Sequence, residues 1–280
     1  MSTCIHESLT LPSITIAPPA PMLDHLCRFY RLNTGYEKTL RLIQAICLVT
    51  LELGVLDKLT TQRVLAAKSQ IALIRRCIRF WNFLDCFNRV SALLGAAASD
   101  SRTPRRHPPA PTGGMWFIEV AKWSCFGVYF LLEDLTLLHA AEIYPVPWAK
   151  TVVGEAYKFW FYALALSLLG AVWEWSGLVG GGAGAGGSGS VSSKAANRGK
   201  KGGNGKAGGA GAAGKRKTEA GGAVSRARKS ALVKRVVVDG CDLLIPGTYL
   251  GWVVGMGQLQ VGVGMVVSTL VSLREIWSSV

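Results

Sequence analysis

Between Tyr30 and about Leu94, apolar residues recur every three to four positions, the period of an amphipathic helix. A second helical stretch covers residues 116–142 and ends in "IYPVPW", where Pro145 and Pro147 cannot continue a helix. A third apolar stretch runs from Tyr157 to Trp175. Its uncharged part, Phe159 to Trp173, is bounded by Lys158 and Glu174. The last pattern is the longest: no charge occurs from Leu243 to Leu273, between Asp242 and Arg274. At ~1.5 Å per residue, one helix of that length would reach about 46 Å, more than a ~30 Å hydrocarbon core requires. Pro246 then falls in its first turn, where proline is tolerated. The pattern predicts a tail that spans a membrane. Tyr157–Trp175 is a second candidate that would span, lie at the interface, or pack.

These stretches are separated by changes of composition. Residues 1–24 form a loose leader with Pro12, Pro18 and Pro19 and no basic n-region, unlike a signal peptide. An amphipathic helical region follows over 25–95, and a Pro/Ser/Ala-rich linker over 96–114. Residues 115–175 are an apolar helical region with a candidate span. Eighteen of the 33 glycines lie between Gly177 and Gly222, and eleven Lys/Arg against one acid, Glu219, lie between Ser176 and Ser230. Such a segment buries too little apolar surface to offset its ordering entropy, so 176–230 is expected to be a disordered Gly/Lys-rich linker. Residues 231–280 hold the C-terminal span and a short tail. The class is an all-α membrane protein: N-terminal amphipathic helices, one or two C-terminal membrane spans and a disordered basic linker.

Charge narrows the partner. The chain is half hydrophobic and carries a formal charge of +14, with a mean hydropathy of +0.30. A basic, apolar chain suits an anionic phospholipid membrane. Nucleic acid is disfavoured, because the basic linker has no aromatic residue for base stacking between Trp175 and Tyr249. Seven scattered cysteines form no C-x-x-C and no zinc-ligand spacing, which fits reduced thiols. Two phosphate-loop patterns, Gly182/Gly184/Gly187 and Gly209/Gly214/Lys215, lie in low-complexity sequence. The second also has Arg216 where a hydroxyl is needed. Glu133 and Asp134 are adjacent on one helix, so their side chains do not face each other. No catalytic set, cofactor site or metal site emerges, and the chain does not read as an enzyme.

Two constellations remain. On a wheel of 100° per residue, Ile71, Ile74, Ile78 and Trp81 share one arc, and Lys68, Arg75, Arg76 and Arg79 lie opposite. This predicts a helix in an anionic membrane interface, with tryptophan at headgroup level. A helix covering a protein core with a basic outer face fits the same window. In the tail, Gly247, Gly251, Gly255 and Gly262 would fall on one helical stripe, and small residues on one stripe let two spans approach. Self-association through that stripe is the expectation, beside the plainer reading that spans are rich in glycine.

Four segments together resemble the peroxisomal biogenesis factor eleven (peroxin-eleven) family. "GYEKTLRLIQ" is similar to its N-terminal signature at Gly35, Glu37, Lys38, Arg41 and Gln44. "KSQIALIRRCIRFWNF" resembles its basic amphipathic helix. "YFLLEDLTLL" resembles its acidic-apolar segment, with Asp134 at the matching place. "VKRVVVDGCDLLIP" resembles the stretch before its last span, with Asp239 or Asp242 as the aspartate. The similarity covers about 35–95, 116–175 and 232–277. It implies a peroxisomal membrane protein that promotes proliferation, elongation and fission of the organelle. Helix insertion, homo-oligomer formation and recruitment of fission machinery including a dynamin-related GTPase are part of that implication. The alternative is a membrane channel for small metabolites, disfavoured by a tail without ionisable residues.

Overall fold

The computed structural model describes residues 21–99, 113–180 and 210–280. The leader up to residue 20, residues 100–112 of the first linker and residues 181–209 of the glycine tract lie outside them. The described residues form nine helices and no strand: α1 (Pro21–Arg31), α2 (Asn33–Glu52), α3 (Lys58–Ile78), α4 (Asn82–Ser99), α5 (Gly114–Leu135), α6 (Leu137–Ala140), α7 (Ala149–Gly180), α8 (Ala210–Tyr249) and α9 (Gln258–Ser279). Local chemistry sets several ends. Asp57 caps α3 by accepting from the backbone N–H groups of Leu59 and Thr60 at 3.2 and 3.3 Å. The Pro145/Pro147 segment separates α6 from α7, as the sequence predicts.

The long helices pack as a sequence of neighbours, α3 on α2, α2 on α9, α9 on α8, α8 on α7, α7 on α5 and α5 on α4. Small residues line the seams. Ala156, Ala163 and Ala171 of α7 are buried at spacings of seven and eight, which keeps them on one helical face. Ala45 and Leu48 of α2 form a buried cluster with Met265 of α9. Small side chains allow backbones to approach closely where lipid supplies no hydrophobic drive between helices.

Three helices are long and apolar enough to cross a membrane by length and composition: Gly114–Leu135, Ala149–Gly177 and Gln258–Ser279. The third candidate, α5, goes beyond the one or two spans expected. Its charges are partnered: Lys122 reaches Glu119 at 2.6 Å within the helix, and Glu133 faces α3.

The tail departs from expectation. Leu243–Leu273 is not one helix. α8 ends at Tyr249, residues 250–257 form a loop, and α9 starts at Gln258. Gly251 and Gly255 take φ of +72° and +85°, conformations that L side chains rarely adopt, so both act as hinges of the turn. α9 folds back on α8: a Cβ at Gly264 would sit 3.5 Å from Leu244 and 3.6 Å from the Cys241 carbonyl.

α7 continues to Gly180 and α8 begins at Ala210, and the greater part of the expected basic linker, residues 181–209, lies outside the described residues. From Ser225 onward the sequence "SRARKSALVKR" is built of good helix formers. Arg228 and Arg235 reach Glu174 of α7 at 3.6 and 3.7 Å, fastening that part of α8 to the bundle.

Candidate functional site

α3 is amphipathic, and the fold turns its basic face inward. Arg75 is the one residue of α3 classed as buried, at 8% exposure. Its guanidinium donates to the Glu37 carboxylate of α2 at 2.6 and 2.9 Å and to the Gln44 Oε1 at 2.6 Å. One turn on, Arg79 donates to both oxygens of Glu133 on α5 at 3.1 Å, and Arg76 lies 3.4 Å from the same carboxylate. Burial acts to raise the Glu37 carboxyl, and the Arg75 charge outweighs it, holding the group at about 2. Glu37 is therefore an anion whose partner is fixed.

The same face of α2 reaches the last helical pair. Arg41, one turn after Glu37, donates to Asp242 of α8, both side chains being shielded. Earlier on α8, Asp239 accepts from the Ser167 hydroxyl at 2.6 Å, and Arg235 bonds that same hydroxyl oxygen at 3.0 Å. Three carboxylates and four arginines thus tie α3, α2, α5 and α8 together: Arg75–Glu37, Arg76 and Arg79–Glu133, Arg41–Asp242. Buried charges persist where they are paired and hydrogen-bonded.

The apolar side of α3 faces outward. Ile74 is 43% exposed and Trp81, just beyond the helix, 65%. Leu59 and Leu65 are exposed on the same helix, and Leu84, Phe87 and Leu94 on α4. Ile71 and Ile78 are half-buried. The wheel assigned the arginines to the lipid. In this fold Arg75, Arg76 and Arg79 meet protein carboxylates instead, because α2 and α5 bring Glu37 and Glu133 beneath them. Lys68 is different: among the described residues it pairs with no carboxylate. It lines a cavity of about 230 Å³ with residues of α2, α7, α8 and α9.

The predicted glycine stripe is not assembled. Gly247 is buried near the end of α8, where a Cβ would come 2.5 Å from Val253. Gly251 and Gly255 lie in the turn, with open space around them. Gly262 lies on α9 against α2, its Cβ position 2.9 Å from Val49 and 3.4 Å from Leu48. The helix break at Tyr249 scatters the four, and the two packed ones serve contacts within the chain.

Two of the carboxylates that the sequence singles out, Glu133 and Asp242, are anionic anchors. Glu133 takes the arginines, whereas its neighbour Asp134, singled out by resemblance, has a buried Oδ2 without a hydrogen bond. Asp242 rather than Asp239 pairs with Arg41. A signal for the first layer was present: Glu37, Arg41 and Gln44 recur at helical spacing and demand counter-charges elsewhere. Among the described residues no group of three His, Cys, Asp or Glu comes together to hold a metal ion. The six described cysteines are free thiols, and burial pushes the Cys86 thiol up to about 11, away from reactivity.

A family model, Peroxisomal biogenesis factor 11 (PEX11), matches residues 23–277. No curated protein and no solved structure matches the chain. The match spans all three described segments, including the α2 face, α3 and α8.

Proposed function

Because the chain belongs to the Peroxisomal biogenesis factor 11 family, a family of peroxisomal membrane proteins acting in peroxisome biogenesis, we propose that it reshapes the peroxisomal membrane by seating the apolar side of α3 and α4 in one leaflet. The observation that carries this reading is the orientation of α3: Arg75 is buried on Glu37 while Ile74 and Trp81 stand exposed. A water-soluble protein rarely leaves so many neighbouring large apolar side chains uncovered. In a chain with three helices able to cross a membrane, lipid is the natural cover. Each isoleucine-sized side chain leaving water contributes roughly 1.5–3 kcal/mol. Inserted on one side only, such a face expands one leaflet and favours curvature.

In this reading the buried arginines hold the wedge rigid, and the exposed Ile/Trp side forms it. Self-association and recruitment of a dynamin-related GTPase belong to the same proposal on the strength of the resemblance. The glycines give self-association no support, since Gly247 and Gly262 are occupied within the chain.

The test is reconstitution of the full chain into anionic liposomes. Wild type should tubulate them. Ile74→Ser combined with Trp81→Ser should remain membrane-embedded through α5, α7 and α9 but lose tubulation. Equal tubulation by both proteins would overturn the wedge. Release of an entrapped small solute without any deformation would point to the channel instead.

A further inference from the structure

We propose that the cavity beside Lys68 is a binding site for a phosphate group, presented by an anionic phospholipid of the surrounding membrane. The cavity measures about 230 Å³ and lies where α2, α3, α7, α8 and α9 converge. Its polar wall holds Lys68, Gln44, Tyr157, Tyr249 and Gln258, and no carboxylate occurs among the described residues that line it. One ammonium, two phenols and two amides offer several donors to one anion, which suits a group with several acceptor oxygens. Gln44 has its carbonyl oxygen engaged by Arg75, so its NH₂ is the end left to serve a ligand. Thr248 also lines the cavity, but its hydroxyl donates to the Leu244 carbonyl at 2.7 Å.

Lys68 is the residue that argues most strongly for an anion-binding site. Of the four basic residues on its face of α3, three are neutralised by Glu37 and Glu133. Lys68 is half-buried, faces the cavity and pairs with no carboxylate among the described residues. A lysine ammonium at a cavity wall with no carboxylate beside it is a ready partner for an anion.

Position favours a lipid as the carrier. Gln258 is the first residue of α9, so the cavity opens at the end of a candidate span, the depth of headgroups. Tyr157 and Tyr249 stack at 4.1 Å on its wall, and tyrosine is at home at that depth. The α8–α9 loop between Tyr249 and Gln258 exposes Trp252 and Val254, the latter at 90%. The inner wall is apolar, formed by buried Leu48, Val261 and Met265. An amphiphilic ligand meets a polar wall and an apolar one in the same cavity.

The site rests on the membrane location and not on the wedge, so the two fail separately. The full chain is placed in phosphatidylcholine nanodiscs, and brominated phosphatidic acid is titrated in while tryptophan quenching is followed. Wild type should show saturable quenching beyond that from brominated phosphatidylcholine. Lys68→Gln should weaken it about fivefold, the effect of one basic residue at an anionic surface. Gln258→Phe, at the exposed mouth, should block it without adding a tryptophan to the readout. Arg63→Gln, an equal charge change on the same helix outside the cavity, should leave it unchanged. Equal loss in Arg63→Gln and Lys68→Gln would reduce the effect to surface charge and overturn the site, as would unsaturable quenching. Displacement of the lipid by millimolar glycerol 3-phosphate or inorganic phosphate would keep the phosphate site and overturn the lipid as its carrier.

Discussion

The Arg75 guanidinium of α3 and the Glu37 carboxylate of α2 meet at 2.6 Å in a contact shielded from solvent. Their residues lie 38 positions apart in the chain. The pair turns the basic face of α3 toward the bundle and leaves Ile74 and Trp81 outside. Removing one partner strands the other. Arg75→Leu should therefore cost about 3–5 kcal/mol, the usual consequence of an uncompensated buried charge. The double change Arg75→Leu with Glu37→Leu should recover most of that loss. Unfolding of the detergent-solubilised protein by denaturant measures both.

Acid should reveal the same contact. The Glu37 carboxyl is held at about 2, below its ordinary value of 4.5, by the Arg75 charge acting against burial. A folded value below the unfolded one means that the folded state holds the proton less tightly. The stabilisation is complete above pH 4.5 and disappears as pH falls toward 2. The pair should add no pH dependence to the wild-type melting temperature between pH 7 and 5 and a decline below 4.5. In Glu37→Gln that part of the decline should be absent. Melting curves recorded against pH check it.

Reversing Arg75, Arg76 and Arg79 to glutamate separates the two faces of α3. If the arginines touched lipid, the reversed chain would fold and merely bind membranes less. With Glu37 and Glu133 beneath them, three new carboxylates are forced against two existing ones. The expected outcome is loss of the folded protein, seen as proteolysis of the 58–99 region and poor recovery from membranes. Ile74→Ser with Trp81→Ser should instead give normal yield and normal melting.

The glycines should divide by role. Gly262→Leu places a side chain where even a Cβ would lie 2.9 Å from Val49. Overpacking of that kind costs typically about 1–3 kcal/mol, and α2 should part from α9. A disulfide engineered across that seam would form more slowly in the variant. Gly251→Ala meets open space but must hold φ near +72°, a strain of about 1–2 kcal/mol for a residue with a Cβ. Its effect should appear in melting temperature and leave the α2–α9 seam intact.

The helices, the Pro145/Pro147 break and the apolar character of α7 and α9 were all legible in the sequence, because periodicity and hydropathy are local properties. The two faces of α3 were equally legible. Which face turns inward was not, since a helical wheel separates faces without saying what lies against them. Glu37 on α2 and Glu133 on α5 decide that, and Asp242, 201 positions from Arg41, does the same for α2. α5 is a candidate span by length and composition, and the folded chain adds partners for its charges, Glu119 for Lys122 and the arginines of α3 for Glu133. The unbroken apolar tail spoke for a membrane span and for a single long helix. The membrane character stands in α9, but the single helix does not, because Gly251 and Gly255 give the chain a turn that lets α9 pack on α8 and α2. Composition could specify what each segment is soluble in. Only tertiary contact, through charges and small residues far apart in the chain, decided which surface each segment keeps.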